Sequence, residues 1–188
     1  MEQKRSKARV FIFALVVGLL LFACAAMLRR SMERERVERR LSDTRTAIND
    51  ATSAAADSPL EHAVRAQLTQ ALARATPESL DRPVIAAAVV PEWKKELQLH
   101  WIAKRPDAID AIEVTAENQP PMRRSLPSQD IEANRKEAAT RVLYTNTVEA
   151  PELEKLLAAT TPGARVTVVL IAQGQVVSDP ADVTIGAK

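Results

Sequence analysis

Ala164-Arg-Val-Thr-Val-Val-Leu-Ile-Ala-Gln-Gly-Gln-Val-Val-Ser178 is the stretch on which the fold turns. From Val166 to Ile171 it is apolar and rich in β-branched residues, the composition of a central strand covered on both faces. Gln173-Gly174-Gln175 then makes a tight hairpin turn, where glycine takes positive φ without steric cost, and Gln175 to Ser178 returns as a second strand. Val183 to Ile185 reads as a final strand. One sheet therefore closes the chain, and the segments upstream must supply its other strands and cover.

Outward from that hairpin, Pro151 to Thr160 (PELEKLLAAT) is expected to be a helix, with proline and glutamates in its first turn and Pro162-Gly163 as its stop. Arg141 to Thr147 (RVLYTNT) and Ala108 to Thr115 (AIDAIEVT) are β-branched runs that read as further strands of the same sheet. Between them Glu117 to Asp130 (ENQPPMRRSLPSQD), with three prolines, reads as a loop. Trp93, Leu97 and Trp101 recur every four residues, with Lys94, Lys95, Glu96 and Lys104 interspersed. That spacing predicts an amphipathic helix from Pro91 to Arg105-Pro106. Val84 to Val90 fits a strand or a helix. Ser58-Pro59-Leu60-Glu61 is a helix start, with serine as N-cap, proline in the first turn and glutamate three residues on. Its helix is expected to reach about Ala75 along the ridge Leu60, Val64, Leu68 and Leu72.

Residues 29–56 read as one helix laced with charge pairs such as Arg34/Glu38 and Glu35/Arg39 at i, i+4. Under the charges runs a seam, Val37, Leu41, Thr44, Ile48, Ala51 and Ala55, spaced as in a short coiled coil. That seam would serve a protein partner or a homodimer, or pack on the chain's own domain. Before it, Val10 to Leu28 (VFIFALVVGLLLFACAAML) carries no charge over 19 residues. At 1.5 Å rise per residue it measures about 28 Å, the thickness of a bilayer's hydrocarbon core. The expected partner of this segment is membrane lipid. Lys4, Arg5, Lys7 and Arg9 precede it, and Arg29 and Arg30 follow. An uncleaved anchor is the leading reading, with the basic tail cytoplasmic and the rest outside the inner membrane. A cleaved signal and a lipoprotein are the alternatives, because Leu21-Phe22-Ala23-Cys24 resembles a lipobox in which Cys24 would be lipidated; Phe22 departs from that pattern.

Residues 1–45 hold 11 Lys or Arg against 5 Asp or Glu, whereas 46–188 hold 15 against 19. The basic end is the membrane end, and the acidic remainder excludes nucleic acid as a partner, since phosphate binding needs a basic face. Two histidines, one cysteine inside the apolar run and four glycines offer no nucleophile-base pair, no metal-ligand spacing and no phosphate loop. No enzyme activity, metal or cofactor is expected. All three phenylalanines lie in the apolar run, so Trp93, Trp101 and Tyr144 are the only rings of that size left for the remainder.

These segments give an α/β (α+β) chain: a basic tail (1–9), a transmembrane helix (10–28), juxtamembrane helices (29–76) and an α/β domain (77–188) with a small, mainly antiparallel sheet flanked by helices. Arg105-Pro-Asp-Ala-Ile-Asp-Ala-Ile-Glu-Val-Thr115 and the closing hairpin Gly163 to Ser178 carry a resemblance to the extracytoplasmic PAS-like sensor domains called Cache. The resemblance implies a PAS-like fold, a ligand pocket and a separate partner to report binding. Arg123 and Arg124 on the loop, Tyr144 on a strand and Trp101 would then line a pocket for a small anion, since arginine pairs suit carboxylates. The competing reading is a non-catalytic subunit or scaffold of a membrane assembly.

Overall fold

A computed structural model describes residues 2–52, 58–91, 96–106, 109–149, 151–160 and 164–186. The chain divides into two compact units, Met1–Val37 and Glu38–Lys188. Helix α1 (Glu2–Thr52) supplies the described part of the first and opens the second. Its N-terminal part is long and apolar enough to cross a membrane. Leu20 is 61% exposed and Phe22 75% exposed, an exposure that water would penalise and lipid would not.

In the second unit α2 (Pro59–Arg74) begins as its sequence dictates. Ser58 Oγ accepts from the Glu61 N–H at 3.2 Å, and Pro59 occupies the first turn, where its missing N–H costs nothing. Leu68 and Leu72 from the expected ridge are buried. The end of α1 is joined to this unit by arginine caps. Arg45 donates from Nε to the Leu72 carbonyl (2.9 Å) and from a terminal nitrogen to that of Ala75 (2.7 Å), satisfying the last turn of α2. Arg65 in turn donates to the Ala51 carbonyl at the end of α1 (2.9 Å). Of the proposed coiled-coil seam, Leu41 is fully buried within the single chain, Thr44 and Ile48 are half-buried, and Ala51 is exposed. Ala55 lies outside the described residues.

The sheet comprises β1 (Val84–Val90), β2 (Glu96–Ile102), β3 (Ala111–Ala116), β4 (Met122–Ser125), β5 (Leu143–Glu149), β6 (Val166–Ala172), β7 (Gln175–Val176) and β8 (Ala181–Ile185). Its order is β4-β3-β6-β8-β1-β2-β5, with β7 added to β6. Every described pairing is antiparallel except β1 with β8, so the sheet is mixed. Helices α3 (Ser128–Glu137) and α4 (Pro151–Ala159) complete the unit. Leu153, Leu156 and Leu157 of α4 enter one core with Leu97, Leu99, Trp101, Ile112, Val114, Val168 and Leu170 from the sheet. Strand β1 is covered on both faces: Ala88 and Val90 join that core, while Ala86, Ala87 and Val89 are buried on the side where α2 packs.

The expected helix over Pro91 to Arg105 is instead strand β2, and Trp101 lies on it. A recurrence of four is also twice the strand period of two, so Leu97 and Trp101 suit either element. Leu99 decides between them: it shares a strand face with Leu97 and Trp101 but would sit on the opposite side of a helix. All three are buried, while Glu96, Gln98 and His100 are half-buried. Trp93 lies outside the described residues. The segment read as a loop, Glu117 to Asp130, contains β4 and the start of α3. Helix α3 has a sequence (SQDIEANRKE) almost without apolar residues, and its one fully buried residue is Asn134.

The decisive hairpin has the expected turn. Gln173 (φ 49°) and Gly174 (φ 83°) are both left-handed, the signature of a two-residue type I′ connection. The returning edge then breaks between β7 and β8, where the buried Ser178 Oγ accepts from the Leu170 N–H (2.9 Å) in place of a ladder carbonyl.

Candidate interaction groove

The two ends of the sheet face one space. Strand β5 pairs along all seven residues with β2, from Glu96↔Glu149 to Ile102↔Leu143, and β4 pairs with β3 from Ala111↔Ser125 to Val114↔Met122. Among the described residues neither strand has a partner on its other side. Arg123, Arg124 and Ser125 of β4 and Thr145, Thr147, Val148 and Glu149 of β5 nevertheless wall the same groove, of about 900 Å³. The sheet is therefore curled until its edges approach without joining. Pro127, Gln129 and Asp130, at the start of the helix that links the two strands, also line it.

The expected site residues separate into two environments. Arg123 and Arg124 are exposed and line the groove. Arg124 stands across from the core residue Ile112 and lies 4.0 Å from Glu152 of α4, a solvent-exposed and hence weak pair. Arg123 stands across from Glu113 and its guanidinium reaches to about 4.0 Å from where a Gly174 side chain would start. Trp101 and Tyr144 do not line the groove. They are paired across β2 and β5 with ring centroids 4.8 Å apart and planes tilted by 35°, and both are sealed in the core. Cys24 is exposed on α1.

Behind the groove lies a polar contact that no sequence signal marked. Asn146 on β5 is buried, and its Oδ1 accepts from Trp101 Nε1 (2.8 Å) and from Asn134 Nδ2 of α3 (3.0 Å). The Tyr144 hydroxyl donates to the Arg141 carbonyl (3.1 Å). The back of β5 and α3 are thereby fixed against the core, and the strand's open side is presented on a rigid support. Alternation of Tyr144, Asn146 and Val148 with Thr145 and Thr147 could have shown which β5 face is buried. The partner of a buried asparagine has no such signature.

Where α2 packs on β1 a smaller, mostly apolar hollow of about 430 Å³ is lined by Ile48, Leu60, Val64, Leu68 and Val89, and also by Glu61, Arg65 and His100. His100 Nδ1 lies 3.0 Å from Thr145 Oγ1, and burial pushes the imidazole below its ordinary pKa. Among the described residues no group of three or more His, Cys, Asp or Glu side chains comes together as a metal site. Comparison with known proteins found no family, no characterised protein and no solved structure that matches this chain.

Proposed function

We propose that the chain is a non-catalytic, single-pass membrane protein whose α+β domain is a subunit or scaffold of a larger membrane assembly. The domain stands on the extracytoplasmic side of the inner membrane. The observation that carries this reading is the groove between β4 and β5. Two sheet edges turned toward one hollow and left, among the described residues, without a main-chain partner form an interaction surface, and a helix suited to a bilayer tethers that surface to the membrane. Solubilisation from native membranes in a mild detergent is expected to release the chain in a complex heavier than its own 20.6 kDa plus micelle. A lone monomer at every concentration contradicts the reading. A C-terminal reporter active only outside the cytoplasm tests the sidedness.

A second reading is a ligand-binding domain reporting to a separate partner, as the likeness to Cache domains implies. It is favoured by Arg123 and Arg124, which both line the groove from opposite faces of β4 and each suit a carboxylate. A shift in melting temperature with a panel of di- and tricarboxylates would support it, and no shift for any member would count against it.

A further inference from the structure

We infer that the groove takes an extended, acidic peptide strand from a partner protein, which pairs with β5 and sets its carboxylates against Arg123 and Arg124 of β4. The inference rests on the assembly reading above and names the chemistry of the partner. Alternate residues of β5 turn their N–H and C=O groups away from β2, and another main chain is the ligand that offers donors and acceptors at the same spacing. Natural edge strands are protected by brevity, lysine, proline or bulges. Strand β5 (LYTNTVE) runs for seven residues and has neither lysine nor proline, and its register with β2 is unbroken. Helix α3 lies beside the strand's first half, Leu143 to Asn146, and an edge of this length without those sequence protections is suited to use.

Size agrees with one strand. Five extended residues are about 17 Å long, and with a cross-section of roughly 5 by 10 Å they occupy about 850 Å³. The groove holds about 900 Å³. The register of the sheet makes β4 and β5 run in opposite directions, so an inserted strand is antiparallel to one and parallel to the other. The sheet already contains such a mixed junction at β8-β1-β2. Charge sets the preference along the middle of the groove: the β4 wall carries two arginines and Thr145 and Thr147 of β5 are neutral, whereas the groove's own carboxylates, Glu149 and Asp130, sit at the last residue of β5 and in the first turn of α3. Side chains of the incoming strand become cross-strand neighbours of Arg123 on one face and Arg124 on the other, where opposite charge is favourable and like charge is not.

Fluorescence anisotropy of labelled eight-residue peptides with the full chain in detergent micelles tests this. The probes alternate threonine and valine with two glutamates, or with two lysines, or with the two glutamates and alternate N-methylated amides. The acidic peptide is expected to bind about five- to tenfold more tightly than the basic one, the effect of two exposed charge pairs. N-methylation should abolish binding, because it removes main-chain donors and leaves charge unchanged. The double variant Arg123→Glu/Arg124→Glu, at exposed positions, should invert the preference. The inference is overturned if no probe binds up to about 1 mM, if the lysine peptide binds as well as the acidic one, or if N-methylation has no effect. Displacement by free citrate together with indifference to N-methylation would identify a small-anion site instead. A heavy complex whose β5 amides are unprotected overturns this inference alone, and a lone monomer that still binds the acidic peptide overturns only the assembly reading.

Discussion

Asn146 Oδ1 serves two buried donors from two different elements. Asn146→Ala would strand the Trp101 N–H and the Asn134 amide inside the core. An unsatisfied buried group costs about 1–3 kcal/mol, so a loss of about 2–4 kcal/mol is expected, read by urea unfolding with tryptophan fluorescence. A loss near zero would mean that water enters this site. Ser178→Ala removes the only acceptor described for the Leu170 N–H and should cost about 1–3 kcal/mol by the same assay. His100 should contribute an acid limb to the stability profile. Its folded-state pKa lies below the ordinary value, so as pH falls below about 6.5 the unfolded chain binds the proton first. Stability declines from there until the folded-state pKa is passed. His100→Gln is expected to flatten that limb in urea midpoints measured between about pH 7.5 and pH 5.5. An unchanged slope would assign it to other groups.

At the scale of elements, the helices of the second unit are tied together through their ends as well as their sides. Arg45→Met keeps the aliphatic stem but removes both donors to the last turn of α2, and should lower the unfolding free energy by about 1–2 kcal/mol. Gly174→Ala has room for its methyl group, yet its positive φ should cost about 1–2 kcal/mol. The elements legible in the sequence are those whose local chemistry and burial agree. The Ser58-Pro59 cap, the amphipathic α4 and the Gln173-Gly174 hairpin are all of this kind. Strand β2 reads as a helix because its most conspicuous residues, Leu97 and Trp101, fit both periods and only Leu99 separates them. Helix α3 escaped notice because it buries almost nothing apolar: its anchor is the Asn134 amide, and its exposed face is held by pairs such as Glu137 with Arg141 (3.0 Å).

At the scale of the whole molecule, the α+β class and one helix suited to a membrane were both readable, the first from β-branched runs around short helices and the second from 19 uncharged residues. The groove was half readable. Arg123 and Arg124 were singled out as a candidate pair, and they do line it. The opposite wall could not be found in this way, because it belongs to the strand Leu143–Glu149, brought across by a sheet order that no local pattern encodes. Trp101 and Tyr144 drew attention as scarce aromatics and are core residues for the same reason, since a core otherwise built of aliphatic side chains gains most from their area. Strand β5 should be an open edge in the isolated chain and a paired one in the membrane. Hydrogen exchange of the Leu143–Glu149 amides reads this, comparing the chain in native membranes with the purified chain in detergent. The outward-facing half of these amides should exchange fast in detergent and be protected in the membrane, while those bonded to β2 stay protected in both. Equal and fast exchange of the outward half in both settings would contradict the claim.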